Sequence, residues 1–85
     1  MLDRSPGPSA VSTLDRVAAG ATVCVADVAG DDEMALRLLE MGLTPGVAVR
    51  VVGRAPLGDP LELELRGYRL SLRRTEAARV SVERS

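Results

Sequence analysis

The sequence predicts a mainly β fold: a small barrel of about five short strands with one α-helix inserted after the first. Three features point to it. The 85 residues, 46% of them hydrophobic, supply enough apolar material for one core, because a chain of this size buries only about 60 to 65% of its unfolded surface. One stretch, from Asp31 to Met41, carries a helical period over several turns. The other apolar runs are short, β-branched or alternating, and are punctuated by glycine and proline. Strands this short protect their edges best by curling on themselves, and an open α+β sheet with the helix on one face is the competing architecture.

Residues 1–12 hold two prolines and a glycine without apolar periodicity, so they read as a flexible tail, with the folded domain over 13–85. Leu14 and Val17 form a short apolar pair before Gly20. Ala21–Val28 is β-branched and apolar on both parities, which predicts a buried strand. The helix follows, with Met34, Ala35, Leu38 and Leu39 on one face and Glu33, Arg37 and Glu40 on the other. Asp31 or Asp32 can cap its start, and Gly42 with Leu43 has the pattern of a Schellman ending folded back on Leu38. Thr44-Pro-Gly-Val47 fits a type II turn, with Pro second and Gly third. It leads into a second strand, Val47–Val52, and then a Pro- and Gly-rich loop, Ala55–Pro60.

Leu61, Leu63 and Leu65 alternate with Glu62, Glu64 and Arg66, after which the apolar parity switches to Tyr68, Leu70 and Leu72. A two-residue loop at Arg66-Gly67 accounts for the switch. It pairs Leu65 with Tyr68, Leu63 with Leu70 and Leu61 with Leu72, and sets Glu64 across from Arg69 on the wet face. Thr75–Ala78 reads as one helical turn, and Arg79–Glu83 as a last, half-buried strand.

The composition removes several chemistries. There is no His and no Lys, and Cys24 and Tyr68 are the single cysteine and tyrosine. That excludes a Ser-His-Asp or Cys-His engine, a Cys/His zinc site and a P-loop. No pair of carboxylates has a spacing that argues for a shared catalytic site, so no enzyme is expected. One aromatic ring cannot stack a run of bases, and the net charge of −1 lacks the basic excess of a nucleic-acid binder. Charge is uneven, however: residues 1–36 carry two arginines against six acids, a balance of −4, and the rest nine arginines against six acids, a balance of +3. No stretch has the length of a membrane span, the first dozen residues lack the apolar run of a signal peptide, and a lone cysteine suits a reducing compartment; the expectation is a cytoplasmic protein without membrane insertion.

Among candidate sites, Asp31-Asp32-Glu33 offers oxygen ligands to a divalent cation, although a capped helix start is the favoured reading. Cys24, between Val23 and Val25, reads as a buried structural thiol. No metal, cofactor or catalytic site is assigned. Arg73 and Arg74 are adjacent, so one of them faces inward if the strand continues through them. Leu57, between Pro56 and Gly58, is an exposed apolar residue on a stiff loop, the kind of element that docks a partner.

Three blocks in order, Arg37-Leu-Leu-Glu-Met-Gly-Leu-Thr-Pro-Gly46, Ala55-Pro-Leu-Gly-Asp-Pro60 and Arg66-Gly-Tyr-Arg-Leu-Ser-Leu-Arg-Arg74 with Ala77 beyond, resemble the FeoA family over about residues 13–84. The resemblance implies an SH3-like β-barrel with an inserted helix. It also implies a small adaptor or regulator of ferrous iron uptake, acting by contact with FeoB, a membrane permease with a GTP-binding domain. The family pattern falls on Arg37, Met41, Gly42, Leu43, Pro45, Gly46, Pro56, Leu57, Gly58, Asp59, Pro60, Gly67, Leu72, Arg73 and Arg74. Several of these have backbone explanations; Leu57, Asp59, Arg37, Met41, Arg73 and Arg74 are the expected partner contacts. The pattern carries no metal ligand and leaves room only for weak ferrous iron binding. Two alternatives remain at this point: a stand-alone regulatory domain like the C-terminal domain of metal-dependent repressors, and, less favoured by charge, an RNA-binding barrel.

Overall fold

The structure, a computed structural model, describes residues 12–84. Six antiparallel strands form one sheet: β1 (Ser12–Thr13), β2 (Thr22–Val28), β3 (Ala48–Arg54), β4 (Leu61–Leu65), β5 (Tyr68–Leu72) and β6 (Val80–Arg84), in the order β1-β6-β2-β3-β4-β5. Helix α1 (Glu33–Glu40) joins β2 to β3, a short α2 (Arg74–Ala77) joins β5 to β6, and a 3₁₀ turn covers Leu14–Arg16. The sheet curls into a barrel-like shape without closing its hydrogen-bond ladder. The strand absent from the sequence reading is the two-residue β1. Its Ser12, expected in the tail, pairs with Val82, and residues 1–11 lie outside the described residues.

The hairpin has the register its alternation predicts: Leu65 opposite Tyr68, Leu63 opposite Leu70 and Leu61 opposite Leu72. Arg66 (φ 51°) and Gly67 (φ 85°) both take left-handed backbone, as a type I′ loop requires. Leu61, Leu63, Leu65 and Leu72 are buried, whereas Leu70 is half-buried and Tyr68 exposed. Glu64 does face Arg69 across the ladder, yet its carboxylate takes the guanidinium of Arg50 on the other flank, at 2.9 Å.

Strand β2 buries Val23, Val25 and Val28 while Cys24 and Ala26 stay half-buried. The expected strand buried on both faces is therefore corrected to a one-sided strand. A register shift between Val25 and Asp27 against β6 explains the misreading, because it moves the inward parity from odd to even positions and mimics a continuous apolar run.

Helix α1 ends as its sequence directs. Asp32 Oδ1 accepts the Ala35 N–H at 3.3 Å, Gly42 N–H donates to Leu39 O and Leu43 N–H to Leu38 O, the paired bonds of a Schellman motif. Ala35 and Leu38 are buried; Leu39, assigned to the same face, is exposed. The eight-residue helix meets the sheet chiefly at β2, too narrow a contact to cover its whole apolar arc. Thr44-Pro-Gly-Val47 closes with Val47 N–H donating to Thr44 O at 3.1 Å.

Candidate partner interface

Leu57 projects from the β3–β4 loop with 92% of its surface exposed. The loop around it is held on both sides. Gly58 N–H donates to Ala55 O at 2.7 Å, Ala55 N–H donates to Pro60 O at 3.1 Å, and Gly58 takes φ 87°, a value that favours glycine. Asp59 then reaches out of the loop: its Oδ1 accepts the backbone N–H of Arg74 at 3.0 Å. A carboxylate at the first N–H groups of α2 satisfies an orphan donor, and here it also braces the Leu57 loop.

The adjacent arginines do not divide as the sequence suggests. Strand β5 stops at Leu72, and Arg73 becomes the N-cap of α2 with Arg74 as its first residue. Both side chains are exposed, which corrects the expectation that one turns inward. The buried charge of this region is Glu76, which the sequence reading did not single out. Its Oε1 accepts the Arg73 N–H at 2.8 Å, and its Oε2 lies 3.5 Å from Arg37 Nη2. Glutamate three residues after the N-cap is the spacing of a capping box, the one signal in the sequence that could have found it.

Five of the six expected contacts are thus linked to the end of β5 and the start of α2, directly or through one intervening contact. Asp59, Pro60 and Arg73 line one shallow groove of about 310 Å³. Asp59, Arg74, Thr75, Ala78 and Asp15 line its neighbour, about 350 Å³. Arg37 joins them through Glu76, and Leu57 rises from the loop that Asp59 anchors. Met41 stands apart, at the C-cap of α1, where its carbonyl accepts the Tyr68 phenol at 2.6 Å. A further brace escaped the sequence altogether. Arg54 Nη2 donates to Asp15 O at 2.8 Å and Val17 O at 2.7 Å, pinning the 3₁₀ turn to β3.

The acidic run at the helix start serves the fold. Asp32 caps α1 and also pairs with Arg79 at 2.5 Å. The Arg79 guanidinium, helped by the Ala35 N–H, holds the Asp32 carboxyl below its usual range, and the same contact raises Arg79. Among the described residues no group of three or more His, Cys, Asp or Glu side chains is placed to hold a metal ion. Cys24, expected to be buried, is a free, half-buried thiol because its side chain falls on the less covered face of β2.

A half-open curled sheet, an inserted helix and a rigid loop with an exposed apolar tip define a small SH3-like domain. A profile of the FeoA domain matches residues 12–84, and the chain belongs to the FeoA domain family. The Fe(2+) transport protein A/Fe(2+) transporter FeoB fusion protein of Porphyromonas gingivalis is 37% identical over 70 residues, which are 82% of this chain and 8% of that protein. This chain therefore spans a small fraction of the length of that curated relative. Among solved structures, the FeoA-like protein of Clostridium acetobutylicum is 36% identical with a TM-score of 0.81, over 86% of this chain and 85% of that one. FeoA of Stenotrophomonas maltophilia, an SH3 domain protein solved with zinc, is 35% identical with a TM-score of 0.73, over 82% and 87% of the two chains. A manganese-dependent transcriptional repressor, 18% identical with a TM-score of 0.81 over 94% of this chain and 48% of that one, shares the fold alone.

Proposed function

We propose that this chain is a cytosolic adaptor that regulates ferrous iron uptake by direct contact with a FeoB-type permease, without catalysis of its own. The observation that carries the reading is the P. gingivalis relative, in which a domain 37% identical to this one is part of the same chain as a FeoB transporter. Fusion replaces a bimolecular encounter with an intramolecular one, which is productive when the two parts act on each other. With no lysine for a P-loop in this chain, the nucleotide chemistry belongs to the permease. No helix among the described residues is long and apolar enough to cross a membrane.

Leu57 is the proposed anchor, with Arg73 and Arg74 at the start of α2, and Arg37 linked to α2 through Glu76, as polar contacts and Asp59 as the brace. An exposed leucine on a preorganised loop loses little entropy on docking. In cells lacking their own FeoA but retaining the permease, the wild-type chain restores ferrous iron uptake and copurifies with the permease. Leu57→Asp should melt within about 0.5 kcal/mol of wild type, because the side chain has no packing to lose, and should weaken association by about 2 kcal/mol or more. Arg73→Glu and Arg74→Glu should both leave the fold within about 0.5 kcal/mol, being exposed, and should change the salt dependence of binding. Full uptake and copurification by a normally melting Leu57→Asp protein would show that the loop is not the contact.

A further inference from the structure

Among the described residues strand β5 is an open edge of the sheet: β4 pairs with one side of it and no described strand with the other. The type I′ loop makes Leu65 and Tyr68 a hydrogen-bonded pair. By alternation, the N–H and C=O groups of Tyr68, Leu70 and Leu72 turn toward β4, and those of Arg69 and Ser71 turn outward. Neither residue has a turn, loop or cap backbone bond among the described residues. The opposite edge, β1, is only two residues long, so β5 is the edge able to template another strand.

The side chains along this edge are strongly biased. Arg66, Arg69, Arg73 and Arg74 fall within nine residues that contain no acid. Arg69 is exposed and makes no ion pair among the described residues, because Glu64 opposite it is held by Arg50. Arg66 and Arg73, at the two ends of the strand, are likewise exposed and without an ion pair among the described residues. On the other face Leu70 is half-buried and Tyr68 is 45% exposed. This pattern opposes a second copy as the occupant. Antiparallel self-pairing brings the arginine end of one strand toward the arginine end of the other, Arg66 of one copy near Arg73 of its partner, like charge near like charge.

We infer that the β5 edge accepts an extended acidic segment of a partner protein by β-strand addition. The guest's backbone pairs with Arg69 and Ser71, its carboxylates meet Arg66, Arg69 and Arg73, and its alternate apolar residues lie beside Leu70 and Tyr68. The inference does not depend on which protein the Leu57 loop contacts.

The probe is a fluorescein-labelled peptide of four Glu-Val repeats, read by anisotropy with the full chain at low salt, beside a reference peptide of four Lys-Val repeats. The acidic peptide should bind about tenfold or more tighter than the basic one, and more weakly as salt rises. Ser71→Pro removes an outward N–H at a place where an edge strand tolerates proline, and should weaken binding about tenfold or more. Arg69→Glu should do the same. Should the proline variant fold poorly, amide hydrogen exchange on the wild type decides. The Arg69 and Ser71 amides should exchange freely in the unbound chain and become protected with the acidic peptide, while Tyr68, Leu70 and Leu72 stay protected throughout. The inference is overturned if the two peptides bind alike, if Arg69→Glu binds like wild type, or if those two amides are already protected in the free chain. It is equally overturned if their protection rises with protein concentration alone, which would make a second copy the occupant.

Discussion

The phenol of Tyr68 donates a 2.6 Å hydrogen bond to the carbonyl of Met41, joining the first residue of β5 to the C-cap of α1. The neighbouring glycine makes room for it. A Cβ on Gly42 would sit 2.6 Å from the phenol oxygen, and Gly42 itself takes φ 107°. One residue thus serves both the left-handed helix ending and the approach of the tyrosine.

Gly42→Ala should accordingly destabilise by about 2 kcal/mol or more, combining backbone strain with the clash, and Tyr68→Phe by about 1 kcal/mol. The two should not add. With the phenol oxygen gone, the alanine meets only ring carbon at 3.9 Å or the Leu65 methyl at 3.5 Å, so the double variant should be destabilised by at least about 0.5 kcal/mol less than the sum of the two. Urea melts of the four proteins measure the difference, and strict additivity would remove the proposed contact.

Gly67→Val isolates backbone strain from packing. Nothing lies within 4 Å of a Cβ built there, while φ is 85°. A loss of more than about 1 kcal/mol in a denaturant melt is expected from conformation alone. An unchanged midpoint would mean that the hairpin tolerates another loop geometry.

Asp32 and Arg79 give the fold a pH dependence of known sign. Arg79 lowers the folded-state pKa of Asp32 below its ordinary 3.8. The resulting stabilisation is present above the unfolded value and lost as pH falls through the lowered folded one. Arg79 stays charged throughout that range. Asp32→Asn keeps a good helix cap but not the ion pair. Wild type should therefore melt above the variant near neutral pH, the gap should close in the acid range below pH 3.8, and added salt should narrow it because Asp32 is exposed and Arg79 only half-buried. A gap constant with pH would assign the effect to capping.

Glu76 and Arg37 should part company despite their contact. Glu76 is buried and caps α2, so Glu76→Ala should cost about 2 kcal/mol. Arg37 is 63% exposed at its side chain, and Arg37→Ala should cost less than about 1 kcal/mol. If thermal melts confirm that order while Arg37→Ala still impairs iron uptake, Arg37 acts on the partner. If uptake is normal, its role ends at Glu76.

The hairpin was legible because period-two alternation and a parity switch fix both loop and register from local sequence. The helix was legible because its ends are written in Asp32 and Gly42. What escaped depends on which strand lies on the far side. Glu64 has Arg69 on one flank and Arg50 on the other, and only the β3–β4 register, with its shift between Val51 and Gly53, brings Arg50 within reach. Arg54 grips carbonyls far away in sequence, and a carbonyl leaves no mark in the residue code. Arg73 and Arg74 were misread because alternation was carried past Leu72, where the chain had already turned into a helix capped by Glu76. At the candidate site, the exposed Leu57 was readable from the prolines around it, but the bond from the Arg74 N–H to Asp59 was not.

The place of β6, between β1 and β2, sets the order in which the domain can be completed during synthesis. The β3–β4–β5 meander and α1 rest on contacts between near neighbours and can form early. Strands β1 and β2 have no ladder with each other: β1 pairs with β6 alone, and β2, held by β3 on one side, waits for Val80–Arg84 on the other. Until the ribosome releases that segment, β2 carries an unpaired edge beside the apolar face of Val23, Val25 and Val28. A nascent chain stalled before Val80 is therefore an aggregation-prone intermediate rather than a shorter domain, and its window of exposure is set by the rate of translation.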